Sequence, residues 1–279
     1  MKLSIITINF NNLEGLQKTI DSVIFQTFRD FEWIVIDGGS TDGSKELIEH
    51  YADHFTYWVS EPDKGVYNAM NKGIKAANGE YCLFLNSGDY LSKDTSLKDV
   101  FFFETDASLI MGKVLYCVSE QNQIVIGFDN LDFSLFQLFQ CSVPHQACFI
   151  KRDLLIKYGL YDESYRIVSD LKVFHNCVVS DSCDVVCVNQ VVSIVDGHGI
   201  SSDLEKNDAE MNRLICELYS PKLLKDYCDW RRLKKENVNY KNREQYYHNA
   251  IALYDFVKKH PALRKLHTFF YKIALKLMS

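Results

Sequence analysis

Runs typical of buried strands alternate with amphipathic helical patterns through the first third of the chain, and this alternation constrains the fold most strongly. Residues 3–10 form a largely apolar run, as in strands buried on both faces. Apolar residues at helical spacing follow between Leu13 and Ile24. Further strands are predicted at 31–36, 55–59 and 81–85, with helices ending near 48 and 77. The order predicts an α/β fold with a mostly parallel sheet flanked by helices.

The rest of the chain shows less regular patterns. Apolar alternation predicts a hairpin from 109–118 and 123–127, and strands at 147–150 and 185–195. Helical spacing predicts helices at 135–139 and 165–179 and a helical pattern from 204 to the last residue. The chain therefore combines an α/β body with a helical C-terminal extension.

Polar side chains collect at the four predicted strand ends of the first third. Amides follow the first strand, and Asp37, Asp63 and Asp89 follow the next three. Because the carboxyl ends of parallel strands meet at one edge of a sheet, these groups face a common crevice. The chain lacks G-x-G-x-x-G after its first strand and lacks a P-loop. The sequence therefore predicts that carboxylates and amides hold any bound nucleotide.

Charge is unevenly distributed along the 279 residues. Residues 220–279 carry 14 Lys and Arg against 5 Asp and Glu, a net +9, which leaves −15 for residues 1–219. An acidic body argues against nucleic acid as the main partner and suits a site for divalent cations. Nine cysteines without a C-x-x-C pair predict neither disulfides nor a zinc cluster. With no signal-peptide or membrane-span pattern, we expect a cytoplasmic protein.

Three segments at the strand ends carry a family pattern. They read SIITINFN at 4–11, IVIDGGSTDGS at 34–44 and EPDKGVYNAMNKG at 61–73. In this order the segments resemble family 2 glycosyltransferases of the GT-A fold, in the bacterial O-antigen and exopolysaccharide branch. The resemblance covers roughly residues 3–200 and implies a Rossmann-like central sheet. It divides the chain into a glycosyltransferase domain, its nucleotide-binding and acceptor halves, and a basic helical extension: 1–204, 1–105, 106–204 and 205–279.

The resemblance also assigns roles to individual residues. Six are implied to line the nucleotide-sugar pocket: Thr7, Asn9, Asp37, Asp63, Asn71 and Asp89. Asp37 is implied to meet the base, and its strand-end position predicts that it contributes more to ligand contact than to core packing. Asp89 is the implied last carboxylate of a motif for Mn2+ or Mg2+, but Asn86 and Gly88 leave it as the only acid in that turn. A plain turn residue is the alternative for Asp89.

Two residues in the second half complete the implied site. His198, in a Gly-containing loop after the last predicted strand, is the candidate for a further metal ligand or a diphosphate contact. A solvated loop histidine is the alternative, and the same alternative stays open for His145. Asp170 lies in a segment that resembles the family's acidic motif and is the implied catalytic base. A helix-surface acid is the alternative for Asp170.

Together these roles imply an inverting glycosyltransferase that moves a sugar from a nucleotide-sugar donor to a saccharide or lipid-linked acceptor. A carboxylate takes the proton of the acceptor hydroxyl, and the metal stabilises the diphosphate leaving group. The reduced metal motif keeps open a catalytically silent nucleotide-sugar binding or assembly protein. A nucleotidyltransferase is the third alternative.

The basic extension has two interpretations. Apolar residues between Leu263 and Leu277 lie on one face of a predicted helix, with lysines elsewhere. This pattern fits packing on the protein's own body or in a homodimer. It also fits an interfacial helix in peripheral contact with anionic lipid at the inner face of the membrane.

Overall fold

A nine-stranded sheet organises the body of the protein. The structure is a computed structural model and describes residues 1–102, 105–119, 122–128, 143–180, 183–196 and 204–235. The strands are β1 Leu3–Asn9, β2 Phe31–Asp37, β3 Tyr57–Ser60, β4 Tyr81–Phe84, β5 Tyr90–Leu91, β6 Leu109–Ser119, β7 Asn122–Ile126, β8 Cys148–Lys151 and β9 Val185–Asp196. The helices are α1 Leu13–Ile24, α2 Ser44–His50, α3 Val66–Ala76, α4 Ser96–Val100, α5 Arg152–Lys157, α6 Ser169–His175, α7 Leu204–Leu218 and α8 Pro221–Lys235. Single turns of other helix types lie at Ala52–His54, His145–Ala147 and Asn176–Ser180.

The sheet joins a parallel half to a mixed half. Its strand order is β3-β2-β1-β4-β8-β6-β9-β5, and β7 pairs with β6. The first four of these strands are mutually parallel, which confirms the α/β prediction for the first third of the chain. β8 runs antiparallel to both neighbours, β4 and β6, while β6 and β9 are parallel. The predicted hairpin is confirmed as the antiparallel pair β6 and β7.

Strand β1 lies at the centre of the parallel half and is buried along its whole length. Leu3 and Ile5 belong to a core cluster with Leu16 of α1. Successive strand residues point to opposite faces, and Ile6 meets α3 at Gly73, where a Cβ would lie 2.4 Å from Ile6 Cγ2. Helices α1 and α3 therefore cover opposite faces of β1. Each fully buried aliphatic side chain contributes about 1.5–3 kcal/mol of transfer free energy, so the position of the strand end at Asn9 is strongly fixed.

The helix predicted at 165–179 is shorter in the structure. Helix α6 begins at Ser169, and a π turn follows it from Asn176 to Ser180. Upstream of α6, the backbone N–H groups of Arg166 and Ile167 donate to the Glu210 carboxylate of α7. Backbone N–H groups at the start of a helix have no carbonyl partner within it, and Glu210 satisfies these two donors while the backbone stays non-helical up to Val168. The segment before α6 is consequently an ordered loop.

The chain separates into two compact units, one reaching Glu217 and one containing α8. The domain boundary at 204 and the division into 1–105 and 106–204 stay predictions.

The predicted helical pattern after 204 is present as far as Lys235. The predicted helix at 135–139, His198 and the apolar face between Leu263 and Leu277 lie outside the described residues. None of the helices in the described part of the chain is long and apolar enough to cross a membrane.

Candidate active site

The ends of β1 and β2 are tied together by the carboxylate of Asp37. The register places Asn9 beside Asp37, and Asn9 Nδ2 donates to Asp37 Oδ1 over 2.7 Å. The hydroxyl groups of Ser40 and Ser60 also donate to Asp37, over 2.5 and 2.6 Å. The backbone N–H groups of Gly39 and Ser40 complete the set. Asp37 therefore fixes the turn after β2 and the ends of β1 and β3.

These contacts change the predicted role of Asp37. The residue is completely buried, and both carboxylate oxygens accept hydrogen bonds from the protein. Burial alone would raise the pKa of Asp37, but hydrogen bonds from Ser40, Ser60 and Asn9 outweigh that effect and hold the pKa below 3.8. The structure thus shows a carboxylate used for internal structure, whereas the sequence predicted that ligand contact would dominate. Its contact with the base stays a prediction without support from this geometry.

Thr7 and Asn71 are also committed to the interior of the protein. Thr7 is completely buried, and its Oγ1 accepts a 3.0 Å hydrogen bond from Trp33 Nε1. Asn71 is almost completely buried, and its side chain bonds both the N–H and the C=O of Tyr161, each over 2.9 Å. Neither side chain presents a polar group to the crevice, so their predicted place in the nucleotide pocket has no support from this geometry. The reason is tertiary packing, because each polar group meets a partner distant in sequence.

An exposed aromatic ring and a carboxylate flank Gly38 at the end of β2. Phe10 follows β1 and keeps 64% of its surface exposed. A Cβ at Gly38 would lie 2.6 Å from Asp63 Oδ2 and 3.1 Å from Phe10 Cδ2. The missing side chain of Gly38 therefore lets the Phe10 ring and the Asp63 carboxylate approach each other. An aromatic face beside an acceptor suits a flat heterocycle that carries N–H groups. The sequence analysis missed Phe10, although a large apolar residue after a strand end is a usable signal.

The turn between β4 and β5 presents the predicted metal ligand. Asp89 is 7% exposed, and its backbone N–H donates to Asn86 O. Gly88 adopts a positive φ of 102° within this turn, a conformation that favours glycine. Thr19 Oγ1 donates to Asp89 O over 2.7 Å and accepts from Gly88 N. The backbone of the turn is therefore anchored on α1.

Oxygen atoms of two side chains in this turn fit a hard divalent cation. Gln146 Nε2 donates to Asp89 Oδ2 over 3.2 Å. Asn86 Oδ1 is buried and accepts no hydrogen bond from the described residues. Carboxylate and amide oxygens are the ligands that Mg2+ and Mn2+ prefer. Within the described ranges no three His, Cys, Asp or Glu side chains group as metal ligands, so further ligands would come from outside these ranges, from water or from substrate.

Asp170 stands at the start of α6 and contacts a histidine. Its Oδ2 lies 3.2 Å from His145 Nδ1, and its Oδ1 lies 3.1 Å from the Tyr67 hydroxyl. His145 Nε2 lies 3.4 Å from Asn86 Nδ2. Burial would lower the pKa of His145, but Asp170, and to a smaller extent Asp89, raise it above 6.5. The geometry thus connects Asp170 through His145 to the turn that carries Asp89.

Sequence reasoning left His145 open as a solvated loop residue and missed Gln146. Both belong to a 3-10 turn directly before β8, and the sheet order places β8 next to β4. The Asn86–His145 contact spans 59 positions of sequence. The available signal was the short Pro144-His145-Gln146 segment before a predicted strand, which resembles the other polar segments placed next to strands.

Comparison of the sequence with known proteins identifies a family. The sequence model described as Glycosyl transferase family 2 matches residues 4–158, more than half of the chain. An uncharacterized glycosyltransferase of Mycobacterium tuberculosis is 36% identical over 210 residues, which cover 73% of this chain and 78% of the relative. A PGL/p-HBAD biosynthesis glycosyltransferase of Mycobacterium bovis is 34% identical over 173 residues, or 60% of this chain and 66% of the relative.

Solved structures share the fold. S. aureus TarS 1–349 in complex with UDP matches with a TM-score of 0.59 at 20% identity, covering 77% of this chain and 64% of that one. Against the longer TarS chain, the match covers 39% of that chain's length. The mannosyltransferase PcManGT from Pyrobaculum calidifontis, in complex with GDP-Man and Mn2+, gives 0.58 at 15% identity, with 77% and 63% coverage. These likenesses confirm the predicted GT-A fold, and together with the matched family model they show that the chain belongs to glycosyl transferase family 2.

Proposed function

We propose that this glycosyltransferase moves a sugar, with inversion at the anomeric carbon, from a nucleoside diphosphate sugar to a hydroxyl of a saccharide or lipid-linked acceptor. Its proposed role is in cell-surface polysaccharide synthesis. The observation that carries the mechanism is the placement of Asp170, which His145 connects to the turn with Asp89. UDP, UDP-GlcNAc and GDP-Man complexes of the structural neighbours support a nucleotide-sugar donor.

Donor recognition is proposed to use the surface around Gly38. Phe10 offers an exposed ring face for stacking a base, which is typically worth about 1–3 kcal/mol per base in nucleic-acid complexes. Asp63 lies next to that ring and accepts from Gly65 N through Oδ1, while Oδ2 faces Gly38. Asp37 and Asn9 support this surface indirectly, because their hydrogen bond fixes the ends of β1 and β2. This assignment moves the base contact from Asp37 to Phe10 and Asp63.

Asn86 and Asp89 are the residues that would hold a divalent cation, with His198 as the predicted further ligand outside the described residues. When bound, Mn2+ or Mg2+ stabilises negative charge on a diphosphate leaving group. Asp89 and Asn86 hold the turn in position, and Gln146 orients the Asp89 carboxylate. Asp170 accepts the proton of the attacking hydroxyl on the opposite side of the anomeric carbon.

Nucleotide-sugar binding is the primary test of the proposal. Differential scanning fluorimetry with UDP-GlcNAc, GDP-mannose and related donors, with Mn2+ present, should reveal at least one stabilising ligand. A ligand at 100 times its Kd stabilises the folded state by about 2.7 kcal/mol. If no nucleotide sugar raises the melting temperature, the donor assignment is wrong.

Asp89→Ala should abolish the part of this stabilisation that depends on Mn2+. The substitution removes the only carboxylate of the Asn86–Asp89 turn, and Mn2+ prefers oxygen ligands. Melting temperatures with UDP or GDP, with and without Mn2+, measure the effect. Asp94→Ala removes a nearby exposed acid and should keep the full Mn2+ response. An unchanged response in Asp89→Ala would exclude Asp89 as a metal ligand.

Peripheral contact with anionic lipid is proposed for the basic extension, with intramolecular or dimer packing as the alternative. Helix α8 carries six Lys and Arg against two Asp, and each basic residue near an anionic surface contributes about 1 kcal/mol. Lys225 is exposed, so Lys225→Gln should weaken binding to phosphatidylserine vesicles about fivefold at low salt. Exposed Lys45 in the body provides the control Lys45→Gln. If the intact protein does not sediment with these vesicles at low salt, the membrane proposal is wrong.

A further inference from the structure

One face of α3 binds the loop that leads to Asp170. Tyr67, Asn68 and Asn71 of this helix all make hydrogen bonds to residues between Tyr161 and Asp170. We propose that these three side chains, the α3 brace, set the position of Asp170, and that Tyr67 is the central positioning residue. The inference rests on the proposed role of Asp170 as the base. For Asn71, this proposal is an alternative to the role in the nucleotide pocket that the sequence predicted.

The Tyr67 hydroxyl makes the contacts nearest to Asp170. It donates to Ile167 O over 2.6 Å and accepts from Ser169 N over 3.1 Å. Asp170 Oδ1 is a second acceptor for the same hydroxyl proton, at 3.1 Å. A tyrosine hydroxyl has one proton and accepts through its lone pairs, so a single group holds the backbone on both sides of Val168 and touches the carboxylate. Tyr67 is buried, which restricts the movement of its ring.

The two asparagines hold the beginning of the same loop. Asn71 binds both backbone groups of Tyr161, as a neighbouring strand would. Asn68 Nδ2 and Asn71 Nδ2 donate to the two oxygens of Glu163, over 2.9 and 3.0 Å. The α3 brace therefore forms hydrogen bonds with the loop at 161–163 and again at 167–170, where the proposed base Asp170 lies.

Helix α7 holds the loop from its other side. Glu210 accepts from the N–H groups of Arg166 and Ile167. Glu217 accepts from the Tyr165 hydroxyl over 2.6 Å and from Lys172 Nζ over 2.5 Å. Because the loop is fixed at several points by α7 and by the two asparagines, loss of one hydroxyl at Tyr67 should displace Asp170 without unfolding the loop. Misplacement of a reacting group by about 1 Å can cost about 100-fold in rate.

The test is Tyr67→Phe, measured by release of UDP or GDP from the donor that stabilises the wild-type protein, with water in place of the acceptor. We expect kcat to fall roughly 10- to 100-fold while the KM for the donor and the Kd for the nucleoside diphosphate stay within about twofold of wild type. Tyr81→Phe is the matched control, because the buried Tyr81 hydroxyl also donates to a backbone carbonyl, Ala107 O, over 2.6 Å. Tyr81→Phe should lose similar stability, about 1 kcal/mol, and keep the wild-type kcat.

Asn68→Ala provides a second test of the α3 brace if Tyr67→Phe does not fold. Asn68 is partly exposed, so this variant should fold and show a several-fold lower kcat at unchanged nucleotide Kd. A normal kcat in the folded variant, or a weaker nucleotide Kd with normal kcat, would overturn the α3 brace. Asp170→Asn in the same assay separates the two proposals: if it retains full activity, the assignment of the base fails. If Asp170→Asn is inactive and Tyr67→Phe is fully active, only the α3 brace is wrong.

Discussion

Asp170→Asn should lower the rate of donor hydrolysis by roughly 100- to 10,000-fold, the usual contribution of a general base. The amide has the shape of the carboxylate but cannot take a proton from the attacking hydroxyl or water. The substitution leaves Phe10 and Asp63 of the proposed base-binding surface unchanged and keeps the size of the side chain, so the Kd for UDP or GDP should stay within about twofold of wild type. Isothermal titration calorimetry and nucleotide-release kinetics measure the two quantities on the same preparation.

Asp153→Asn is the control for this substitution, because Asp153 is an exposed acid on α5 and should leave both quantities unchanged. Wild-type protein that binds donor but neither hydrolyses nor transfers it would support the alternative of a catalytically silent binding protein. Release of pyrophosphate from a nucleoside triphosphate would support a nucleotidyltransferase. Activity that persists in Asp170→Asn would exclude Asp170 as the base.

Asp37→Ala should lower the free energy of unfolding by about 3 kcal/mol or more, because each hydrogen bond to a charged group contributes about 1.5–3 kcal/mol and several are lost together. The substitution leaves the hydroxyl groups of Ser40 and Ser60 and the amide of Asn9 without their common acceptor. Urea denaturation at neutral pH measures the change. Asp42→Ala is a matched control, since Asp42 is exposed and its carboxylate accepts from the backbone N–H groups of Leu13 and Ser44. It should cost about 1 kcal/mol.

The pH dependence of this effect has a definite sign. The pKa of Asp37 in the folded protein is below its ordinary value of 3.8, so the ionised carboxylate stabilises the folded state. This contribution is fully present above the unfolded value of 3.8 and is lost as the pH falls through the lower folded value. The stability difference between wild type and Asp37→Asn should therefore narrow below about pH 3.8. A difference that is constant from pH 7 to pH 3 would show that the charge of Asp37 contributes nothing.

The sequence predicted the elements of the parallel half well because each strand there is short, apolar and followed by a polar turn. It placed Asn9, Asp37 and Asp89 at strand ends for the same reason. It could not predict which partner each side chain would meet. Asn71 bonds Tyr161, 90 positions away, and Tyr67 bonds Ile167, 100 positions away. Local pattern carries no information on such contacts, so the role predicted for Asn71 in the nucleotide pocket took no account of its bonds to Tyr161.

The second half was less predictable for a related reason. The loop before α6 has a helical spacing of apolar residues, yet Glu210 takes the N–H groups of Arg166 and Ile167. These contacts come from a helix more than 40 positions later in the chain, which local spacing does not reveal. The short elements β5, α4 and α5 were also missed, because two to six residues give too few positions for a hydrophobic period to be visible.

The antiparallel strand β8 has a consequence for how the protein is made. Strands β1 to β4 are complete once the ribosome has added residue 84, and they pair among themselves. The outer edge of β4 receives its partner only when β8 has been synthesised, up to Lys151. Until then the nascent chain presents an unpaired strand edge, the kind of surface that promotes aggregation. Asp89 precedes β8 and Asp170 follows it, so the strand that covers this edge is synthesised before Asp170.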